Sequence, residues 1–164
     1  MKLQFGSGRD KKEGYVNCDV SKETNPDKIV DLEKPLPFKD NSVEEIIANH
    51  VLEHVKNLIP LFTEIHRICK DGALINIRVP YFAHESAFSM MDHVRFFTYT
   101  TFDALDKNHA CHWMSTGNFK VVSKKLVWKP NLFHFFNFIP KIYQNFLCWI
   151  IPAKELQVSL KVVK

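Results

Sequence analysis

The chain opens with a strand-like run, Lys2-Leu3-Gln4-Phe5, that passes without a spacer into Gly6-Ser7-Gly8. A second such run, Tyr15-Val16-Asn17-Cys18, ends at Asp19. A third short apolar run ends at Asp31, and a fourth, Ile46-Ile47-Ala48, ends at Asn49-His50. Turn glycines and polar residues recurring at strand ends are what an open α/β sheet sets along its carboxyl edge to bind a nucleotide. The pattern therefore predicts an α/β fold and a nucleotide-type cofactor rather than a structural role.

The remaining pattern supports one domain over 1–164. Apolar residues make up 46% of the chain, enough for an ordinary core, and the 24% charged content is that of a globular protein. Residues 2–6, 15–19, 28–32 and 44–49 read as short strands. Asn57 to Lys70 reads as a helix, because Leu58, Leu61, Phe62, Ile65, Ile68 and Cys69 share one face. Pro60 is tolerated in its first turn, and Gly72 reads as its stop. Ala73 to Val79 is the next strand, so strand, helix and strand make a right-handed parallel unit. Residues 99–107 read as a weaker helix. Phe119–Lys129 and Leu156–Lys164 read as strands that pair as an antiparallel edge on an otherwise parallel sheet.

Between those last strands lies an aromatic-rich insertion at about 130–153. Leu132 to Ile151 holds five phenylalanines, Tyr143 and Trp149, with polar residues recurring near helical spacing. Pro140 is expected to split it into two short helices. The polar stripe and Lys141 argue against a membrane span. The segment reads either as core that folds back to cover the sheet or as an exposed face. An exposed face would be a lid, a homo-oligomer interface through 132–151, or a peripheral membrane contact. From Lys120 onward there are eight lysines against one acid, Glu155, which suits an anionic surface or a solvated face alike. Cys18, Cys69, Cys111 and Cys148 form no CxxC pair, and the N-terminus has no apolar leader, so a reduced, cytoplasmic setting is expected, with peripheral membrane contact left open.

Taken singly, the motifs are modest. Gly6-Ser7-Gly8 lacks the third glycine of the dinucleotide fingerprint, where Lys11 stands, which disfavours a nicotinamide oxidoreductase. Asp19 can accept hydrogen bonds from ribose hydroxyls, or serve as a turn residue, and Asp31 has the same two readings. Taken in order, they resemble a family. Leu3-Gln4-Phe5-Gly6-Ser7-Gly8, Gly14-Tyr15-Val16-Asn17-Cys18-Asp19 and Asp31 through Ser42 come first. Asn49-His50-Val51-Leu52-Glu53-His54-Val55 and Glu64 through Gly72 follow. The set, spanning roughly residues 2–105, resembles the class I S-adenosylmethionine-dependent methyltransferases, and within them the small-molecule type 11 branch.

The resemblance implies a Rossmann-like, mostly parallel sheet with an antiparallel edge strand, and S-adenosylmethionine as cofactor. It places Gly6, Ser7 and Gly8 beneath the methionine and ribose, with Asp19 on the ribose hydroxyls. Asp31 and Leu32 would flank the adenine, and Asn49 and His50 would line the methionine side. Two departures stand out. Only ten residues separate Gly8 from Asp19, so the usual helix between the first two strands is absent or vestigial, and the N-terminal covering helices of the family are missing.

Methyl transfer asks mainly for alignment and exclusion of water, with a base only where the acceptor carries a proton. The family places acceptor contacts after the fifth strand, where Pro80–Glu85 and Asp92–Thr98 lie. His84 or His93 is a candidate base, and Arg95 a candidate holder of an acidic group; each also reads as a brace for its loop. His109, Cys111 and His112 have metal-binding types at a spacing that matches no familiar site, so no metal is expected. Asn49-His50-Val51-Leu52 lacks the paired prolines of amino-methylating nucleic-acid enzymes, so no nucleic-acid partner is expected. The expected activity is methyl transfer to a small-molecule acceptor, with lipid-linked and sugar acceptors open. The alternative is a non-catalytic module that binds a protein or membrane partner through 132–151.

Overall fold

The computed structural model describes residues 1–110, 117–129 and 131–164. Seven strands form one sheet: β1 (Lys2–Phe5), β2 (Val16–Asp19), β3 (Lys28–Ile29), β4 (Val43–Asn49), β5 (Cys69–Pro80), β6 (Phe119–Val127) and β7 (Glu155–Val162). Their order is β3-β2-β1-β4-β5-β7-β6. The first five are parallel, and β7 runs antiparallel to both β5 and β6. The sheet is thus the mostly parallel one the sequence predicts, with its antiparallel edge.

Alternation puts one file of apolar residues on a single face. Leu3 and Phe5 stand opposite Ile46 and Ala48, which face Ile75 and Ile77, which in turn meet Leu160 and Val158. These residues are buried. Helix α1 (Leu58–Ile68) buries Leu61, Phe62, Ile65 and Ile68 in the same core. Phe62 meets Phe102 and Phe119 edge-on, at ring separations of 6.2 and 5.6 Å. Removing a face of this kind from water is the main stabilising term of such a fold. The other face is polar, with Glu45, Asn76, Arg78, Gln157 and Ser159 around a shallow cleft of about 340 Å³.

Gly72 does not stop the helix. The chain leaves α1 at Ile68 and enters β5 at once at Cys69, which pairs with Val43. The register then shifts, so that Glu45 pairs with Leu74, and Gly72 (φ +78°) lies in this irregularity. A left-handed residue is what a bulge of this sort requires. The third strand also differs from expectation. It stops at Ile29: the bond from Val30 N–H to the Asp19 carbonyl is the last of its ladder, and the chain then turns away. Residues 99–107 hold a short 3₁₀ turn, Thr101–Leu105, instead of an α-helix.

The connection from β1 to β2 contains no helix, and α1 is the only α-helix longer than one turn among the described residues. Arg67 on α1 pins the helix-free connection ahead of β4. It binds Glu64 at 2.7 and 2.8 Å, Asp40 at 2.5 Å, and the carbonyls of Leu36 and Phe38.

The aromatic-rich segment is split at Pro140, as expected: a 3₁₀ stretch, Asn131–Phe138, precedes α2 (Pro140–Ile142) and a wider turn, Tyr143–Leu147. It is both core and exposed face. Trp128, Phe136, Tyr143 and Cys148 are buried, whereas Phe135, Phe138, Phe146, Trp149 and Ile150 face solvent. The Tyr143 hydroxyl accepts the Ala153 N–H at 2.7 Å and donates to the Ile151 carbonyl at 3.0 Å. Because β6 enters the segment and antiparallel β7 leaves it, the segment sits at the carboxyl edge of the parallel strands. No helix of the described residues is long and apolar enough to cross a membrane.

Candidate active site

The carboxyl edge of β1, β2 and β4 borders a cleft of about 700 Å³. Its lining includes Gly6, Gly8, Asp19, Asp31, Leu32 and His50. Six of the eight residues picked for cofactor contact therefore come together. Ser7 and Asn49 do not line it. Ser7 is buried beneath the turn, where its N–H bonds the Cys18 carbonyl at 3.0 Å, and Asn49 lines the cleft on the polar face of the sheet.

The glycines have separate reasons to be glycine. Gly6 (φ +59°) lies so close to Val51 that an added Cβ would stand 2.5 Å from Val51 Cγ2. Gly8 (φ +52°) has open space where a Cβ would be, so its constraint is the left-handed backbone. Gly8 N–H donates to Asp19 Oδ2 at 2.8 Å, and Ser21 N–H donates to Oδ1 at 2.9 Å. Two backbone donors thus fix the Asp19 carboxylate, and each oxygen keeps a lone pair for a ligand hydroxyl. Asp31 is oriented in the same manner. Its Oδ1 accepts the Glu33 N–H, and Lys34 lies 3.2 Å from Oδ2; together they hold its carboxyl below the usual range. Val20, Val30 and Leu32 supply apolar wall between the two carboxylates.

His50 closes β4 in a left-handed conformation, φ +49°. A non-glycine residue held there at a strand end is strained backbone of the sort found at binding sites. Its Nε2 lies 2.8 Å from Glu155 and its Nδ1 3.4 Å from Glu53. Hydrogen bonding to Glu155 and then Glu53 raises its pKa to about 9, so the ring is an imidazolium at neutral pH. That state makes it a fixed charge beside the cleft and a poor base.

The three residues chosen for chemistry lie on the 81–97 connection. His84 Nδ1 accepts the Ser86 N–H at 3.1 Å, which caps the short turn Glu85–Ala87. Arg95 donates to the carbonyls of Val55 and Lys56, bracing the loop. His93 donates Nδ1–H to the Ala87 carbonyl at 3.0 Å and packs edge-on against His54 at 4.8 Å. Two of the three are brought beside residues that line the cleft, His93 against His54 and Arg95 on the Val55 carbonyl; His84 is not. The aromatic-rich segment does not roof the cleft either; Met90, Asp92 and His54 border that end. The segment meets the connection through Phe82 and Trp149, whose rings are 5.1 Å apart. Cys111 and His112 lie outside the described residues.

Sequence reading missed His54, Met90 and Asp92. His54 sits in the run Asn49–Val55 already singled out, one turn beyond the strand end, and that position was the available signal.

Residues 10–77 match the family model described as a methyltransferase domain, of type 11. The fold is that of a class I methyltransferase. A Mesorhizobium loti S-adenosylmethionine-dependent methyltransferase superposes with TM-score 0.66 at 13% identity, covering 98% of this chain and 89% of that one. The complex of the Haloferax volcanii Trm112 methyltransferase activator with a methyltransferase gives TM-score 0.66 at 15% identity, covering 99% and 82%. The [4+2]-cyclase SpnF gives 0.64 at 12%, covering 99% and 75%. No curated protein matches the sequence significantly. A methyltransferase fold that also serves a cyclase fixes the architecture and leaves the reaction to the site.

The cleft suits the cofactor the fold implies. Its four acids, Asp19, Asp31, Glu33 and Asp92, outnumber the His50 imidazolium and so favour a ligand bearing positive charge, and its volume is within the range of small-molecule sites.

Proposed function

We propose that the protein binds S-adenosylmethionine in the β1–β2–β4 cleft and methylates a small-molecule acceptor, in the cytoplasmic setting that the free thiols of Cys18, Cys69 and Cys148 suit. The observation that carries this reading is Asp19, held at the end of β2 by Gly8 N–H with acceptor capacity to spare. Asp19 would take the ribose hydroxyls. Asp31 and Leu32 would border the base, and Gly6 and Gly8 would let backbone approach the ligand. When bound, the cofactor supplies an electrophilic methyl group on a sulfonium leaving group. The protein's part is then to orient the acceptor, exclude water and, for a protic acceptor, take a proton.

His93 is the better placed base of the two histidines, since its Nδ1–H is fixed on Ala87 and its Nε2 remains available. Met90 borders the cleft, and the connection that carries it also exposes Phe88, stacked on Phe96 at 4.7 Å. That apolar surface favours an acceptor with a hydrophobic portion, such as a lipid-linked one, over a free sugar. Equilibrium dialysis tests the reading. Retention of S-adenosylmethionine and S-adenosylhomocysteine, with no retention of a nicotinamide dinucleotide, is the expected result; the reverse would overturn it.

A second reading rests on the solvent-facing aromatics. Phe138 is 89% exposed and Phe146 73%, and together with Trp149 and Ile150 they offer an apolar surface to a membrane, a second copy or another protein. On that reading the chain is a methyltransferase-like binding module. Dialysis that retains neither cofactor would favour it.

A further inference from the structure

Buried polar atoms are almost always paired, so a cluster of unpaired ones asks for an explanation. Glu53 follows β4 in the 3₁₀ turn Leu52–His54, and its side chain is 1% exposed. One carboxylate oxygen, Oε1, faces His50 Nδ1 at 3.4 Å. The other, Oε2, is buried and has no hydrogen-bond partner. The adjacent His54 Nδ1 is likewise buried without an aligned hydrogen bond, although Asp92 Oδ2 lies 2.9 Å away. Leaving a carboxylate oxygen dry and unpaired is costly.

The backbone brings a third group to the same point. Val94 N–H and Arg95 N–H both donate to the Glu53 carbonyl, at 2.9 and 3.2 Å, and so dock the 93–95 stretch onto the Leu52–His54 turn. His93 is thereby set against His54. One nitrogen or oxygen from each of Glu53, His54 and His93 falls within 4.8 Å of the others. His93 also donates its Nδ1–H to the Ala87 carbonyl. This is the outer-sphere arrangement that fixes a metal-binding imidazole, because it leaves the lone pair of Nε2 directed away from the carbonyl.

We infer that Glu53, His54 and His93 form a binding site for a divalent transition-metal ion, with Asp92 as a fourth ligand. Two imidazoles and one or two carboxylates suit Mn²⁺, Fe²⁺, Co²⁺ or Zn²⁺ better than Mg²⁺ or Ca²⁺, which prefer oxygen alone. The ion neutralises the Glu53 oxygen that nothing else in the fold satisfies. The site opens on the cofactor cleft, since His54 and Asp92 line it, and Asp92 is 66% exposed. An ion with protein ligands on one side and solvent on the other has coordination positions free for a substrate.

Its use rests on the methyltransferase reading. With the His93 lone pair on the ion, His93 is a ligand here and no longer the base; a hydroxyl of the acceptor, coordinated to the ion, loses its proton to solvent at a lower pH than in water. The acceptor oxygen then takes the methyl group, and the electron pair of the broken carbon–sulfur bond stays on sulfur. The site therefore selects an acceptor that offers a hydroxyl.

The test needs no cofactor. Full-length protein, stripped with a chelator, is titrated with Mn²⁺ and followed by electron paramagnetic resonance, and with Zn²⁺ by calorimetry. The expected result is one ion per chain, with affinity lowered at least about tenfold in Glu53→Gln and in His93→Ala, and a melting temperature raised by the ion only where the site is intact. His93→Ala lies on an irregular loop and keeps the test decisive if Glu53→Gln fails to fold. No ion bound by folded wild-type protein overturns the site, as does equal affinity in wild type and His93→Ala. Ion binding without S-adenosylhomocysteine binding would support the site and count against the methyltransferase reading. Cofactor binding without an ion does the opposite.

Discussion

Gly8 donates its backbone N–H to Asp19 Oδ2 across 2.8 Å, tying the turn after β1 to the last residue of β2. The bond replaces a rigid helix. With no helix between these strands, the turn's position depends on this contact, on Ser7 N–H to the Cys18 carbonyl, and on Gln4 and Asn17, whose side-chain oxygens both accept Lys12 N–H at 2.9 Å.

The two glycines of the turn should differ sharply on substitution. Gly6→Ala meets both a left-handed backbone and the Val51 side chain, and should cost about 3 kcal/mol or more. Gly8→Ala meets the backbone cost alone, about 1–2 kcal/mol. Urea unfolding of the two variants gives the comparison, and equal losses would contradict the packing against Val51.

Arg67→Ala should loosen the connection ahead of β4, since one guanidinium bonds Glu64, Asp40 and two carbonyls there. Bonds of this charge-assisted kind are worth about 1.5–3 kcal/mol each when buried, less when half-exposed, so a loss of about 2 kcal/mol is expected. Hydrogen exchange should show the Leu36 amide, which donates to Glu64, losing its protection.

Tyr143→Phe should destabilise by about 1–3 kcal/mol, because it strands the buried Ala153 N–H that the hydroxyl accepts. Cofactor affinity should be unchanged, as Tyr143 does not line the cofactor cleft.

The protein should lose stability on the alkaline side in a defined window. Burial pushes the Cys18 thiol up to about 11, Cys69 up to about 12 and the Tyr143 hydroxyl up to about 12. Each group stays protonated in the folded chain at pH values where the unfolded chain has released its proton. Their stabilising contribution is therefore complete below about pH 9 and is lost as pH rises towards 12. Urea midpoints measured from pH 7 to 11 should be flat at first and then fall, and Cys69→Ala should soften the fall. At neutral pH these thiols should resist a thiol-specific reagent until the chain is unfolded.

Much of this architecture could be read from residue order. Strand ends marked by Gly6, Asp19, Asp31 and His50 are local signals, and they locate the carboxyl edge because alternation and turn chemistry act over a few residues. The two antiparallel strands were legible for the same reason. Gly72 misled because a left-handed glycine serves a helix end and a bulge alike, and only the pairing of Val43 with Cys69 distinguishes them. The meeting of Glu53 and His54 with His93 was invisible, since the residues are far apart in the chain and meet through backbone bonds to one carbonyl. The aromatic segment carried too little periodicity to tell buried from exposed rings. Trp128 and Tyr143 sort them by anchoring to a single carbonyl, that of Ile151.

The most direct test of the central claim is calorimetric titration of S-adenosylhomocysteine into the wild-type protein and into Asp19→Ala, with both shown folded by circular dichroism. The account predicts one site per chain in the wild type and affinity at least about tenfold weaker in the variant. Equal binding by the two proteins, or none by the folded wild type, would contradict it.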